Sequence, residues 1–189
     1  LGSSVASVLV VLRRPPRSSP TPSSAASDVY QRHGKTSLAM NIVENAAIGS
    51  KLPVAVFSME MPGQQLAMRM LASLGRINAH HVRTGKLTKD DWPRLTSAVE
   101  LLDSAPIFID DTPALTPVEL RSRVRRLSRE HGRLGMIVVD YLQLMQSGDN
   151  SENRAVEVSN ITRALKIIAK EMSAPVGVIS QLNRSLEQK

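Results

Sequence analysis

Glycine, lysine, threonine and serine follow one another from Gly34 to Ser37, ahead of a stretch with the apolar spacing of a helix. This order is typical of a phosphate-binding loop, in which backbone N–H groups and the positive end of a helix dipole face the phosphates. The ammonium of Lys35 would reach the β- and γ-phosphates, and the hydroxyl of Thr36 would ligate Mg²⁺. The sequence therefore predicts a nucleotide site at Gly34, Lys35, Thr36 and Ser37.

The same loop departs from the full pattern G-x-x-x-x-G-K-[ST], which requires glycine where this chain has Val29. Tyr30, Gln31, Arg32 and His33 fill the remaining positions. The β-branched Val29 and the bulky Tyr30 disfavour the positive-φ turns that glycine permits. Gly-Lys-Thr alone is a weak indication, so the prediction of a nucleotide site depends on the residues downstream.

Downstream of Gly34, short apolar runs alternate with stretches of helical spacing. This alternation predicts β-α-β crossovers and a mainly parallel sheet, the α/β class. The predicted strands cover residues 53–58, 107–111, 136–140 and 175–180. Helices are predicted for residues 35–48, 88–102 and 158–172, after Pro62, and after the capping-box pattern that begins at Thr116.

Polar side chains stand at the carboxyl ends of these predicted strands, where ligands gather in parallel sheets. They are Glu60, Asp110, Asp111, Asp140 and Gln181. Phosphoryl transfer requires one carboxylate to hold Mg²⁺ and a second to orient the attacking water, and an amide near the γ-phosphate can sense its loss. Asp140 ends a longer and more apolar strand than Asp110, which favours Asp140 as the metal ligand. Any one of these acids alone would favour a structural role, as a helix cap or a solvated strand end, but together they favour the functional interpretation.

Six motifs occur in a fixed order: GKTSLAMN at 34–41, FSMEM at 57–61, RTG at 83–85, IDDT at 109–112, VDYLQLM at 139–145 and SQLNRSLEQ at 180–188. Together they closely resemble the C-terminal RecA-like ATPase domain of the DnaB family of bacterial replicative helicases. The resemblance covers residues 34–189 and is far more specific than Gly-Lys-Thr alone.

This resemblance implies a RecA-like P-loop NTPase, a three-layer αβα fold with a mainly parallel sheet, incomplete in this chain. It implies that Lys35 and Thr36 bind the nucleotide phosphates and Mg²⁺. Glu60 would be the base that polarises the hydrolytic water, Asp140 the Walker B carboxylate that also holds the metal, and Gln181 the γ-phosphate sensor. ATP and Mg²⁺ are therefore the expected cofactors.

The family's activity is ATP-dependent DNA unwinding during replication, by a homo-hexameric ring that translocates on single-stranded DNA. Primase and a helicase loader are the expected protein partners. The alternative function is an inactive helicase fragment that at most binds nucleotide or joins other ring subunits. The motif series ends before the family's Arg-Glu-Ser-Gly segment and its arginine finger, and the chain begins with Leu1 instead of methionine, which favours a truncated product.

Residues 1–32 differ in composition from the remainder, since Ser, Pro and Ala dominate from Arg13 through Ser27. Such a composition buries too little apolar surface to offset chain entropy. We therefore predict a disordered or unrelated segment over 1–32 and a partial RecA-like domain over 33–189. The apolar run from Val5 to Leu12 favours the same interpretation because it lies far from Gly34, although a buried strand is the alternative.

Charge and composition restrict the classes of function. The net charge of +7 suits nucleic-acid binding and solubility equally, and the 3% aromatic content argues against a binder that mainly stacks bases. Arg121, Arg125 and Arg129 repeat every fourth residue and predict either a solvated helix face, the favoured interpretation, or a contact to phosphates or a neighbouring subunit. The absence of cysteine fits the reducing cytoplasm, and the longest N-terminal apolar run is too short to span a bilayer. We therefore expect a cytoplasmic protein without a membrane partner.

Overall fold

A parallel sheet of five strands, in the order β1-β5-β4-β2-β3, forms the centre of the computed structural model. All four strand pairs are parallel. The structure describes residues 9–11, 33–145 and 154–180. The strands are β1 (Leu9–Val11), β2 (Val54–Ser58), β3 (Ile107–Asp110), β4 (Met136–Asp140) and β5 (Val176–Ser180).

Helices lie between successive strands along the chain, since parallel strands need long crossover connections. In the described ranges they are α1 (His33–Glu44), α2 (Gly63–Gly75), α3 (Ala79–Thr84), α4 (Asp91–Ser104), α5 (Pro117–His131) and α6 (Arg154–Met172). A π-helical turn at Asn45–Gly49 extends α1, and a 3-10 turn at Leu142–Leu144 follows β4. None of these helices is both long and apolar enough to cross a lipid bilayer.

Two apolar cores lie on opposite faces of the sheet. On one face α1 and α2 bury side chains such as Met40 and Leu66 against Val56 of β2. On the other face α5 and α6 bury side chains such as Val124 and Leu165 against Phe57 and other apolar residues of the sheet. Alternate residues of β2 therefore point into different cores, so the strand is buried throughout its length. The predicted three-layer α/β architecture is confirmed.

Local signals in the sequence set several of the boundaries. Thr116 and Glu119 form both hydrogen bonds of a capping box, with Pro117 as the first residue of α5. The helix predicted to begin at Thr88 begins instead at Asp91, whose Oδ2 accepts a hydrogen bond from the Thr88 N–H at 2.9 Å. The Asp91 carboxylate thus satisfies the N–H of a residue that precedes the helix, and its charge interacts favourably with the helix dipole.

Two elements differ from the predictions. Leu9–Val11 form β1, which pairs with Val178–Ser180 of β5. The prediction of disorder is wrong for these three residues, and the alternative of a strand holds for them; residues 1–8 and 12–32 lie outside the described ranges. The short helix α3 was not predicted; the Asn78 side chain caps it by accepting from the His80 N–H at 2.9 Å, and Gly85 ends it at φ 70°.

The arginine repeat on α5 makes contacts within the chain. Arg121 Nε donates to Glu171 Oε2 of α6 at 2.6 Å, and Arg125 pairs with the other oxygen of the same carboxylate. The prediction of a solvated face or an external contact did not include this link. The two arginines remain nearly half exposed, so they hold α5 against α6 while one side of each guanidinium faces solvent.

Candidate nucleotide site

The start of α1 and the end of β4 are joined by a hydrogen bond between two predicted site residues. Thr36 Oγ1 donates to Asp140 Oδ2 at 2.9 Å, although 104 positions separate them in the chain. Both side chains are buried, with exposed fractions of 3% and 2%. The bond therefore brings the Gly-Lys-Thr segment to the carboxyl edge of the sheet.

Strand register places the loop that carries Glu60 at this same edge. Ser58, the last residue of β2, is the register partner of Asp140, the last residue of β4. The Met59 N–H donates to the Asp140 carbonyl oxygen at 2.8 Å, and Glu60 follows with an exposed side chain. Asp140 also pairs with Ile179, so β5 ends one residue further along, at Ser180. Gln181, like Val29 to Arg32, lies outside the described residues.

Gly34, Lys35, Thr36 and Ser37 form the first turn of α1 with His33. Backbone N–H groups of a first helical turn have no carbonyl partner within the helix and bind anions well. The Lys35 side chain is half buried, whereas Gly34 and Ser37 are exposed. This turn therefore offers N–H donors and one ammonium next to the buried Thr36 and its carboxylate partner.

The pKa of the Asp140 carboxyl reports which charges surround it. Burial raises this pKa above the ordinary value, and the hydrogen bond from Thr36 lowers it in part. The charge of Glu60 raises it further, whereas the charges of Lys35 and Arg69 lower it. Glu60, Lys35 and Arg69 are thus all close enough to act on Asp140, so the edge of the sheet carries both acids and two cations.

Asp110 ends β3 and Asp111 follows it, and both carboxylates bind groups of other elements. Arg123 Nη1 of α5 donates to Asp110 Oδ1 at 2.7 Å, and the Gly63 N–H donates to Asp111 Oδ2 at 2.9 Å. Burial disfavours the charged form of Asp110, but the hydrogen bonds from Arg123 and Thr112 outweigh it and lower the Asp110 pKa. Of the two strand-end aspartates Asp110 and Asp140, Asp140 is the one that accepts a hydrogen bond from Thr36.

Arg69 on α2 was not among the predicted site residues. Its Nη1 atom is buried and has no hydrogen-bond partner within the ranges that the structure describes. Arg69 lies between the buried residues Leu66 and Met70 on the helix, so a cation stands next to an apolar face. An arginine next to the apolar face of a helix could have indicated Arg69 from the sequence, because a buried guanidinium requires an anion or another acceptor.

The oxygen donors fit Mg²⁺. This ion takes hard oxygen ligands at about 2.0–2.1 Å in octahedral geometry, which sets adjacent ligand oxygens about 2.8–3.0 Å apart. Thr36 Oγ1 and Asp140 Oδ2 are 2.9 Å apart, as such a pair requires. Within the described ranges no three His, Cys, Asp or Glu side chains form a metal site. A site with few protein ligands agrees with Mg²⁺, which keeps waters and substrate phosphates as its other ligands.

Comparison with known proteins identifies the family. The model of the family described as "DnaB-like helicase C terminal domain" matches residues 30–189 of this chain. The chain belongs to this family. The replicative DNA helicase DnaB of Buchnera aphidicola subsp. Acyrthosiphon pisum is 54% identical over 157 residues, which are 82% of this chain and 34% of that protein. The DnaB of Geobacillus stearothermophilus shows the same identity and the same coverage.

The fold of the DnaB-like domain is also found in a solved structure of a DnaB-like replicative helicase, described with its interactions with primase. That structure superposes with a TM-score of 0.77 and 27% identity, over 84% of this chain and 38% of the other. The RecA-like ATPase fold expected from the six motifs is thereby confirmed. This DnaB-like chain spans about a third of the length of the two bacterial relatives, 34% in each case.

Proposed function

We propose that this DnaB-like domain binds ATP together with Mg²⁺ and hydrolyses it, as the motor of a replicative DNA helicase. The hydrogen bond between Thr36 and Asp140 carries the proposal, because it unites a helix-start anion site with a buried carboxylate at the carboxyl edge of a parallel sheet. Family membership supports the same activity.

The first turn of α1 would hold the triphosphate. Its N–H groups and the Lys35 ammonium offer positive charge where the phosphates carry negative charge. Thr36 and Asp140 would hold Mg²⁺, which neutralises phosphate charge as it develops in phosphoryl transfer. Ser37 and Gly34 belong to the same turn and would contribute backbone N–H groups.

Glu60 would act as the base that orients the attacking water. It is exposed at the sheet edge, and its charge acts on Asp140. Of the other strand-end acids, Asp110 pairs with Arg123 of α5 and Asp111 accepts from the Gly63 N–H. Gln181 remains the proposed γ-phosphate sensor on the strength of the family resemblance.

In the intact protein the partners we propose are single-stranded DNA, five further copies in a hexameric ring, primase and a helicase loader, in the cytoplasm. The solved relative described with its interactions with primase supports the primase contact. The net charge of +7 suits contact with DNA and mere solubility equally, so the DNA partner is proposed from family membership.

Binding is tested by thermal unfolding with and without a non-hydrolysable ATP analogue and Mg²⁺. Ligand at about one hundred times Kd stabilises by about 2.7 kcal/mol, which raises the Tm by about 5–11 °C. Lys35→Ala should abolish this rise, and Lys166→Ala, at an exposed position on α6, should retain it. An unchanged Tm of the parent chain in saturating analogue would refute nucleotide binding.

Hydrolysis is tested separately with Glu60→Gln. Loss of a general base lowers turnover by about 10²–10⁴-fold, while binding of the analogue should remain as in the parent. Equal turnover by the parent and the variant would exclude Glu60 as the base. Binding without turnover in the parent would instead support the alternative of a nucleotide-binding module.

A further inference from the structure

The loop that carries Glu60, residues 59–62, is anchored to the ends of β2 and β4. The Met59 N–H donates to the Asp140 carbonyl oxygen at 2.8 Å. Ser58 Oγ donates to the Met61 carbonyl oxygen at 2.8 Å and accepts from the Met61 N–H at 3.3 Å. The backbone on both sides of Glu60 is therefore hydrogen-bonded to the sheet edge.

The second half of the loop is held by a residue from a distant part of the chain. Pro62 occupies the N-cap position of α2 and makes no side-chain cap. Asp111 Oδ2 accepts from the Gly63 N–H at 2.9 Å, 48 positions away, and so replaces the missing cap. A carboxylate at this position also interacts favourably with the helix dipole.

Asp111 is itself fixed by its two neighbours. Arg123 of α5 donates to Asp110 Oδ1 at 2.7 Å and to Thr112 Oγ1 at 2.6 Å. The Thr112 N–H donates to Asp110 Oδ1 at 3.1 Å, which closes the turn around Asp111. The backbone before and after Asp111 is thus tied to α5, and its carboxylate points at α2 from a fixed base.

We propose that Asp111 is a positioning residue for Glu60, acting through the N-terminus of α2. Asp111 closes the far end of the Glu60 loop as Ser58 closes the near end. This inference rests on the proposed function for the role of Glu60. It gives the second aspartate of the Ile-Asp-Asp-Thr motif a task that touches neither nucleotide nor metal.

The direct test is amide hydrogen exchange on the full, nucleotide-free chain. Asp111→Ala should accelerate exchange of the Gly63 amide about tenfold, because this N–H loses its acceptor. Asp111→Asn keeps an oxygen acceptor and should restore slow exchange. Asp103→Ala, at an exposed aspartate on α4, is the matched control and should exchange like the parent. Because Asp111 is exposed, its truncation leaves no cavity and the variant should fold.

Steady-state kinetics show whether Asp111 positions Glu60 or only caps α2. Asp111→Ala should lower kcat for ATP about tenfold with less than about a twofold change in KM, and Asp111→Asn should recover most of the loss. Unchanged exchange in Asp111→Ala, or equal kcat in Asp111→Ala and the parent, would overturn the proposal. Hydrogen exchange is measured without nucleotide, so its result does not depend on the proposed function. A parent chain that failed to bind ATP would refute the proposed function, and that failure would appear in the thermal-unfolding experiment instead.

Discussion

Ser73 on α2 donates a hydrogen bond to Glu44 Oε2 on α1 at 3.0 Å, and the other oxygen of that carboxylate is buried without a partner in the described ranges. The Glu44 side chain is 6% exposed. Burial raises the pKa of the Glu44 carboxyl above 4.5, and the hydrogen bond from Ser73 offsets only part of the rise. An acid is therefore placed between two helices that both contribute to the candidate site.

Glu44→Gln should raise stability at neutral pH. Because the folded pKa exceeds the unfolded value of 4.5, the folded state binds more protons, and stability from this group falls as pH rises through the folded pKa. Glutamine has no charge to desolvate, so we expect a gain of about 1 kcal/mol at pH 8, or about 2–4 °C in Tm. Thermal unfolding between about pH 4 and pH 8 measures it, and the gain should vanish at the acid end. Glu100→Gln, at an exposed position on α4, should show no such trend; a constant gain at every pH would contradict the assignment.

Asp140→Asn should raise the stability of the ligand-free chain and weaken the contribution of Mg²⁺ to nucleotide binding. The amide still accepts from Thr36 but avoids the cost of a buried charge, so the Tm without ligand should rise by about 2–4 °C, or about 1 kcal/mol. The additional stabilisation that Mg²⁺ gives to bound nucleotide should shrink, since an amide oxygen is a poorer ligand than a carboxylate. Thermal unfolding with nucleotide in Mg²⁺ or in EDTA measures both effects. A Mg²⁺-dependent shift as large as in the parent would count against Asp140 as a ligand, and Asp103→Asn serves as the control.

Arg123→Met should destabilise the chain, because it leaves the partly buried Asp110 without its guanidinium. Loss of charge-assisted hydrogen bonds costs about 2 kcal/mol, or about 4–8 °C in Tm. The Asp110 pKa lies below its ordinary value of 3.8, so this stabilisation is present above that value and is lost as pH falls through the folded pKa. The difference between variant and parent should therefore narrow in acid. Arg126→Met, at a 67% exposed side chain on the same helix, should change the Tm little.

Much of the fold follows from local patterns in the sequence. β4 and β5 are apolar up to their last residues, Asp140 and Ser180, and the capping box at Thr116 marks the start of α5. β1 was assigned wrongly because its evidence is non-local: an apolar triplet forms a strand only where a neighbour such as β5 offers a free edge. The short helix α3 has no buried residue, so no apolar period announces it.

In the candidate site, too, some features follow from the sequence and others depend on contacts with distant elements. The topology rule for parallel sheets was enough to expect Glu60 and Asp140 at one edge. The roles of Asp110 and Asp111 depend on Arg123 and Gly63, which belong to other elements, so adjacent aspartates looked alike in the sequence. Glu171 likewise engages Arg121 and Arg125 only because α6 packs beside α5.

The short β1 has a consequence for the behaviour of the chain in solution. It covers the outer side of β5, whose sequence Val-Gly-Val-Ile-Ser carries no charge. Without those three residues, the amides and carbonyls along this side of an uncharged strand would be open to pairing with another molecule. Leu9–Val11 thus occupy an edge of β5 through backbone pairing, for which the identity of their side chains matters little.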